Sequence, residues 1–171
     1  MRRRSMSKNK GSSFERSLCN KLSRFVDPDG KETIFWRSAM SGGRATVQNK
    51  KGGKNTRQLG DITAIDPRGA WLNENFIVEA KHYKKLDIES FLLKKTGVLY
   101  GFWRKLRKLC KKHSLHPILI AKQNNLPTLL LTTELAIDCL DTFGADINNP
   151  LLRVVRDKRN VWIFNFEEVF K

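Results

Sequence analysis

At 171 residues the chain has room for one domain with a real hydrophobic core, and is too short for two of ordinary size. Hydrophobic residues make up 40%, a globular value, while 33 Lys and Arg against 17 Asp and Glu leave a formal charge of +16. Such an excess attracts phosphate backbones through counterion release, and an anionic membrane surface would profit from the same charges, so a polyanionic partner is expected. No apolar run reaches the ~20 residues of a membrane span and no signal-peptide core follows the N-terminal arginines, so no membrane role and a cytoplasmic location, in a bacterial or archaeal cell or an infected host cell, are expected.

Residues 1–12 carry five basic side chains, no acid and almost nothing to bury, which predicts a disordered basic arm ahead of a single domain over 13–171. From residue 13 the pattern changes, with Phe14, Leu18, Leu22 and Phe25 or Val26 at helical spacing until Pro28 and Gly30, predicting a helix over 13–26. Residues 33–40 read as a strand. The apolar signal then vanishes over 41–58, a stretch with Gly42, Gly43, Gly52 and Gly53, the basic Arg44, Lys50, Lys51, Lys54 and Arg57, and no acid. Long structureless connections are usually functional or disordered, so a flexible cationic loop beside a site is expected.

Residues 59–66, closed by Pro67-Arg68-Gly69, and 75–83 have strand composition and are expected to form a hairpin. Between 86 and 113 the period becomes helical again, and Gly97 is expected to divide it into two helices. Leu99, Phe102, Trp103, Leu106, Leu109 and Cys110 form an apolar stripe opposite Arg104, Lys105, Arg107, Lys108, Lys111 and Lys112, a candidate phosphate-tracking face. Strands over 116–122 and 128–133, a short helix over 134–140 and a strand over 159–166 complete the order. The sum is an α/β architecture, a mixed central sheet flanked by helices.

Cys19, Cys110 and Cys139 are odd in number, widely spaced and set in apolar contexts, as expected of reduced core thiols. The three histidines lack the spacing of a zinc site.

The chemistry concentrates on the strand at 75–83. Side chains alternate across a strand, so Glu79 and Lys81 share one face, and Asp61 begins the preceding strand. An acid and a lysine among Phe76, Ile77 and Val78 lose solvation unless a bound cation or each other compensates. A plain Glu79–Lys81 salt bridge would do so, but it leaves Asp61, the basicity and the glycine-rich loop unexplained. Two carboxylates from neighbouring strands suit magnesium, with manganese as a substitute, and the ion would activate water for attack on phosphorus. Lys81 would orient or deprotonate that water and screen the pentacovalent anion. The expected chemistry is phosphodiester hydrolysis.

Gly60-Asp61-Ile62-Thr63-Ala64 followed by Glu79-Ala80-Lys81 resembles the signature of the PD-(D/E)xK nuclease superfamily, with Gln58-Leu59-Gly60 standing where the name has a proline. Phe14-Glu15-Arg16-Ser17-Leu18 is similar to the Glu-Arg-x-Leu helix of the archaeal-type Holliday junction resolvases, and Arg37 to Gly42 to their Arg-x-x-x-Ser-Gly stretch. The resemblance covers residues 13–122. It implies a restriction-endonuclease-like core, a phage origin among the possible sources, and a homodimer cutting four-way DNA junctions with no small-molecule cofactor. It gives Glu15 a part in metal binding beside Asp61 and Glu79, places Ser41 near the scissile phosphate with Ser38 as the lesser match, and sets Arg37 beside the DNA. Restriction or repair nucleases cutting flaps or duplexes share the scaffold. A non-catalytic nucleic-acid-binding protein is the alternative from another class, and it has no use for Asp61, Glu79 and Lys81 together.

Overall fold

The computed structural model describes residues 4–30, 32–38, 59–157 and 159–171, with side chains from Lys10 onward. The chain divides into two compact units, Met1–Ala80 and Lys81–Lys171.

In the first unit, helix α1 runs Arg4–Val26 and buries Leu18, Cys19 and Leu22. The arm expected over 1–12 is therefore helical from Arg4. Arg, Met and Lys are good helix formers, no proline interrupts them, and each residue added to an already packed helix gains a hydrogen bond without a new nucleation cost. Strand β1 (Phe35–Arg37) is fastened to α1 by Ser23, whose buried Oγ accepts the amides of Ile34 at 3.0 Å and Phe35 at 3.1 Å. Antiparallel to β1 lies β2 (Ile62–Ala64), with Trp36 opposite Thr63.

Asp66 then starts a 3-10 turn, Pro67–Gly69, by accepting the Arg68 amide at 2.9 Å. Helix α2 (Ala70–Asn75) follows and leads into β3 (Phe76–Tyr83). The hairpin expected from 59–66 and 75–83 does not form: β2 pairs with β1, and the chain ahead of β2 meets β3 through a parallel bridge between Gly60 and Val78. The reason is α2, which the sequence reading missed. Its Trp71 packs edge-on against both Phe35 and Phe76, each at 6.1 Å between ring centres, and this helical turn reverses the chain before β3 begins.

The second unit opens with helices α3 (Ile88–Lys94) and α4 (Gly97–His113), separated as expected at Gly97, whose φ of +91° suits glycine. Leu99, Trp103, Leu106 and Cys110 of α4 are buried. Strands β4 (His116–Gln123) and β5 (Thr128–Thr132) form an antiparallel hairpin with Leu119 opposite Leu131. Helix α5 (Glu134–Thr142), strands β6 (Leu152–Arg156) and β7 (Arg159–Asn165), and helix α6 (Phe166–Val169) complete the chain. The central sheet has five strands in the order β3-β4-β5-β7-β6, mixed in direction and flanked by helices. Its β4–β5, β5–β7 and β6–β7 pairs are antiparallel.

The three cysteines are free thiols, Cys19 and Cys110 buried. Burial, joined by the negative charge of Glu15, pushes the Cys19 thiol up to about 12, which keeps it protonated and unreactive. No helix among the described residues is long and apolar enough to cross a membrane.

Candidate active site

Gly60 sets the geometry. Its φ of +86° lies in the left-handed region, and a Cβ there would stand 2.4 Å from the Val78 carbonyl oxygen, so only glycine lets the chain approach β3 this closely. The approach delivers Asp61 onto the strand. Its amide donates to the Val78 carbonyl at 2.7 Å, and its Oδ2 accepts the Ala80 amide at 2.9 Å. A third tie comes from β1's end, where the Ser38 amide donates to the Asp61 carbonyl at 3.0 Å. Asp61 is 8% exposed. The backbone of β3 thus grips it on both sides of residue 79.

Along β3, Val78 and Ala80 are buried while Glu79 and Lys81 are half-buried, as expected when the two charged residues share a face. Lys81 is the first residue of the second unit and follows Glu79 by two places on the same strand. Its ammonium lies 5.7 Å from the centre of the Phe102 ring, which stacks in a tilted contact on Tyr83 at 5.3 Å. A cation over an aromatic face is favoured by about 0.5–1 kcal/mol at such partly exposed sites. In the sequence Phe102 belongs to the apolar stripe of α4, and no local signal marks it as a neighbour of Lys81.

Glu15 stands on α1 with its carboxylate 13% exposed, and Arg37 on β1 donates from Nε to its Oε2 at 2.6 Å. These two residues are therefore brought together as an ion pair. Ser38 is 3% exposed. Ser41, Arg44, Lys50, Lys51, Lys54 and Arg57 lie outside the described residues. On α4, Arg104, Lys105, Lys108, Lys111 and Lys112 are exposed, and the half-buried Arg107 is 3.9 Å from the Asp157 carboxylate.

Among the described residues no group of three or more His, Cys, Asp or Glu side chains gathers into a cluster that could hold an ion. Asp61, whose carboxylate accepts the Ala80 amide, and Glu79, the residue before Ala80, offer carboxylate oxygens, which are hard donors. That set fits magnesium, which takes one or two carboxylates and completes its shell with water and substrate phosphate.

Comparison with curated proteins and with solved structures finds no match to the chain. A family model does match it, described as "Phage putative PDDEXK endonuclease", over residues 6–168. The match begins inside α1, ends inside α6 and takes in every strand as well as Asp61, Glu79 and Lys81, so the chain belongs to this family of phage PD-(D/E)xK endonucleases.

Proposed function

We propose that the protein is a metal-dependent endodeoxyribonuclease that hydrolyses phosphodiester bonds in branched DNA, with the four-way junction as its preferred substrate. The observation that carries the reading is the grip of the β3 backbone on Asp61, through Val78 and Ala80, on either side of Glu79. Such a clasp fixes one carboxylate against the strand that carries the other, and catalysis by positioning depends on it.

Asp61 and Glu79 would hold a magnesium or manganese ion, with Glu15 assisting, and the chemistry such an ion would supply is a more acidic water and stabilisation of the charge on the phosphate. Lys81 orients the attacking water, its ammonium steadied over Phe102. The likeness to the resolvases supports Ser41, with Ser38 the lesser match, as the serine that serves the scissile phosphate. Arg37, the basic residues of 41–58 and the basic face of α4 contact the DNA backbone without reading sequence, which suits an enzyme selecting DNA by shape. Resolving a junction takes two symmetric cuts, hence a homodimer, acting in the cytoplasm of the infected cell.

A labelled immobile four-way junction, a flap and a linear duplex incubated with magnesium test this reading. Paired symmetric nicks in the junction are expected. Asp61→Asn, Glu79→Gln and Lys81→Ala should each slow cleavage by at least about 10²-fold, while Asp61→Asn and Lys81→Ala leave junction binding largely intact, and chelation should stop cleavage altogether. Full activity in Asp61→Asn would remove the site from the reaction, and preference for flap or duplex would move the enzyme to a repair or restriction role.

A further inference from the structure

The second unit carries a groove of about 1140 Å³ between α4, the start of α5 and the start of β7. Its lining carries Arg104, Lys105, Lys108 and Lys111 from α4 and Arg159, the first residue of β7, with Glu134 and Asp157 as its acids, so positive charge predominates. Lys105, Lys108, Lys111 and Arg159 form no ion pair with any described residue. Like charges gathered around one concavity repel one another, and a polyanion lying between them relieves that repulsion. Arg107 differs: the Asp157 carboxylate stands 3.9 Å from it and also accepts the Tyr100 hydroxyl at 2.9 Å. The hydrogen bond to this carboxylate, then loss of solvation, raises the pKa of the Tyr100 hydroxyl, so the phenol stays a donor to it.

The dimensions and lining narrow the ligand. The groove exceeds the ~300–1,000 Å³ typical of small-molecule pockets. Among the described residues no Phe, Tyr or Trp lines it, whereas channels for single strands supply aromatic faces on which bases stack. A cationic trough without stacking surfaces suits phosphates whose bases stay paired.

We infer that this groove is a cleft for the phosphodiester backbone of duplex DNA, and that Asp157 is its internal counter-ion, holding Arg107 until a phosphate takes the carboxylate's place. It shares no residue with Asp61, Glu79 or Lys81. The inference rests on the endonuclease reading for the identity of the polyanion.

Binding of the full-length protein to a labelled duplex, and to a single strand of the same length, is measured across a salt series with chelator present. Lys108→Gln and Arg159→Gln should each weaken duplex binding several-fold and lower the slope of log affinity against log salt by about one. Lys94→Gln, the same charge change on exposed α3 outside the groove, should leave the slope unaltered. Asp157→Asn should tighten binding more than Asp138→Asn, its charge-matched counterpart on α5. Equal effects inside and outside the groove, or tighter binding of the single strand, would overturn the cleft. Cleavage of a labelled four-way junction by the wild-type protein in magnesium is read separately. Its absence, with the groove effects intact, faults the nuclease reading alone, and cleavage without groove effects faults the cleft alone.

Discussion

Replacing Gly60 with alanine should damage stability and catalysis together. At φ +86° an alanine takes on the left-handed penalty, roughly 1–2 kcal/mol. Its methyl would also stand 2.4 Å from the Val78 carbonyl and 3.1 Å from Ile77 Cγ2, and the first of these is backbone, which cannot rotate away. The two segments must therefore part, straining the 2.7 Å bond from the Asp61 amide to Val78, a further loss of about 1 kcal/mol. The expected total of about 2–3 kcal/mol corresponds to a fall in Tm of about 4–12 °C for a chain this size. Because the same movement displaces Asp61 from Glu79, a shift near 1 Å should slow single-turnover cleavage by about 10²-fold. Thermal unfolding and cleavage well below both transitions measure the two effects. Gly11→Ala is the control, since that glycine is helical and a Cβ there meets nothing within 4 Å, so a gain of roughly 0.5–1 kcal/mol is expected. A destabilised Gly60→Ala protein that cleaves at the wild-type rate would refute the claim that this approach positions Asp61.

Two further outcomes follow from the first unit. Ser23→Ala leaves the buried amides of Ile34 and Phe35 without their shared acceptor, and should cost about 2–4 kcal/mol in urea unfolding. Arg68 binds Asp66, Asp27 and Glu32, and its guanidinium, then its amide, hold the Asp66 carboxyl down to about 2 from 3.8. A carboxyl depressed in the folded state adds stability above its unfolded pKa and loses it as pH falls toward the folded value. The gap in urea midpoint between wild type and Arg68→Gln should therefore be widest above pH 4 and should narrow as pH falls toward about 2. A gap independent of pH would contradict the pairing.

Where packing decided local structure, the residues announced it. Leu99, Trp103, Leu106 and Cys110 mark the buried side of α4, and the apolar runs of β4 and β5 flank a turn at Asn125. Asp61, Glu79 and Lys81 stand out in the sequence because charge in otherwise apolar strand segments needs a reason, and the structure sets Asp61 against the strand that carries the other two. The N-terminal half of α1 was hidden, since its residues carry no amphipathic stripe and are helical by extension. β6 was hidden for a similar reason, as Leu152, Arg153 and Val155 are all exposed and give no alternation to read. The β2–β3 hairpin failed at α2, whose six residues are too few to show a helical period. The ion pair of Glu15 with Arg37 and the seat of Lys81 over Phe102 join residues distant in sequence, and no local pattern encodes them.

Arg156 is 6% exposed at the last position of β6, an edge strand, where its guanidinium donates to the carbonyls of Phe91 at 2.6 Å and of Leu92, and lies 5.4 Å from the centre of the Phe91 ring. Those carbonyls belong to α3, so one side chain joins an edge strand to a helix far away in sequence. Strands hold register by their buried face, and β6 has almost none, with Leu152 and Val155 facing solvent. A slip of one residue would turn Arg156 outward and strand its positive charge away from both carbonyls. The arginine therefore acts as an indexing pin: it fixes which residue of β6 faces which residue of β7, and guards an open sheet edge against the sliding and self-pairing to which such edges are prone.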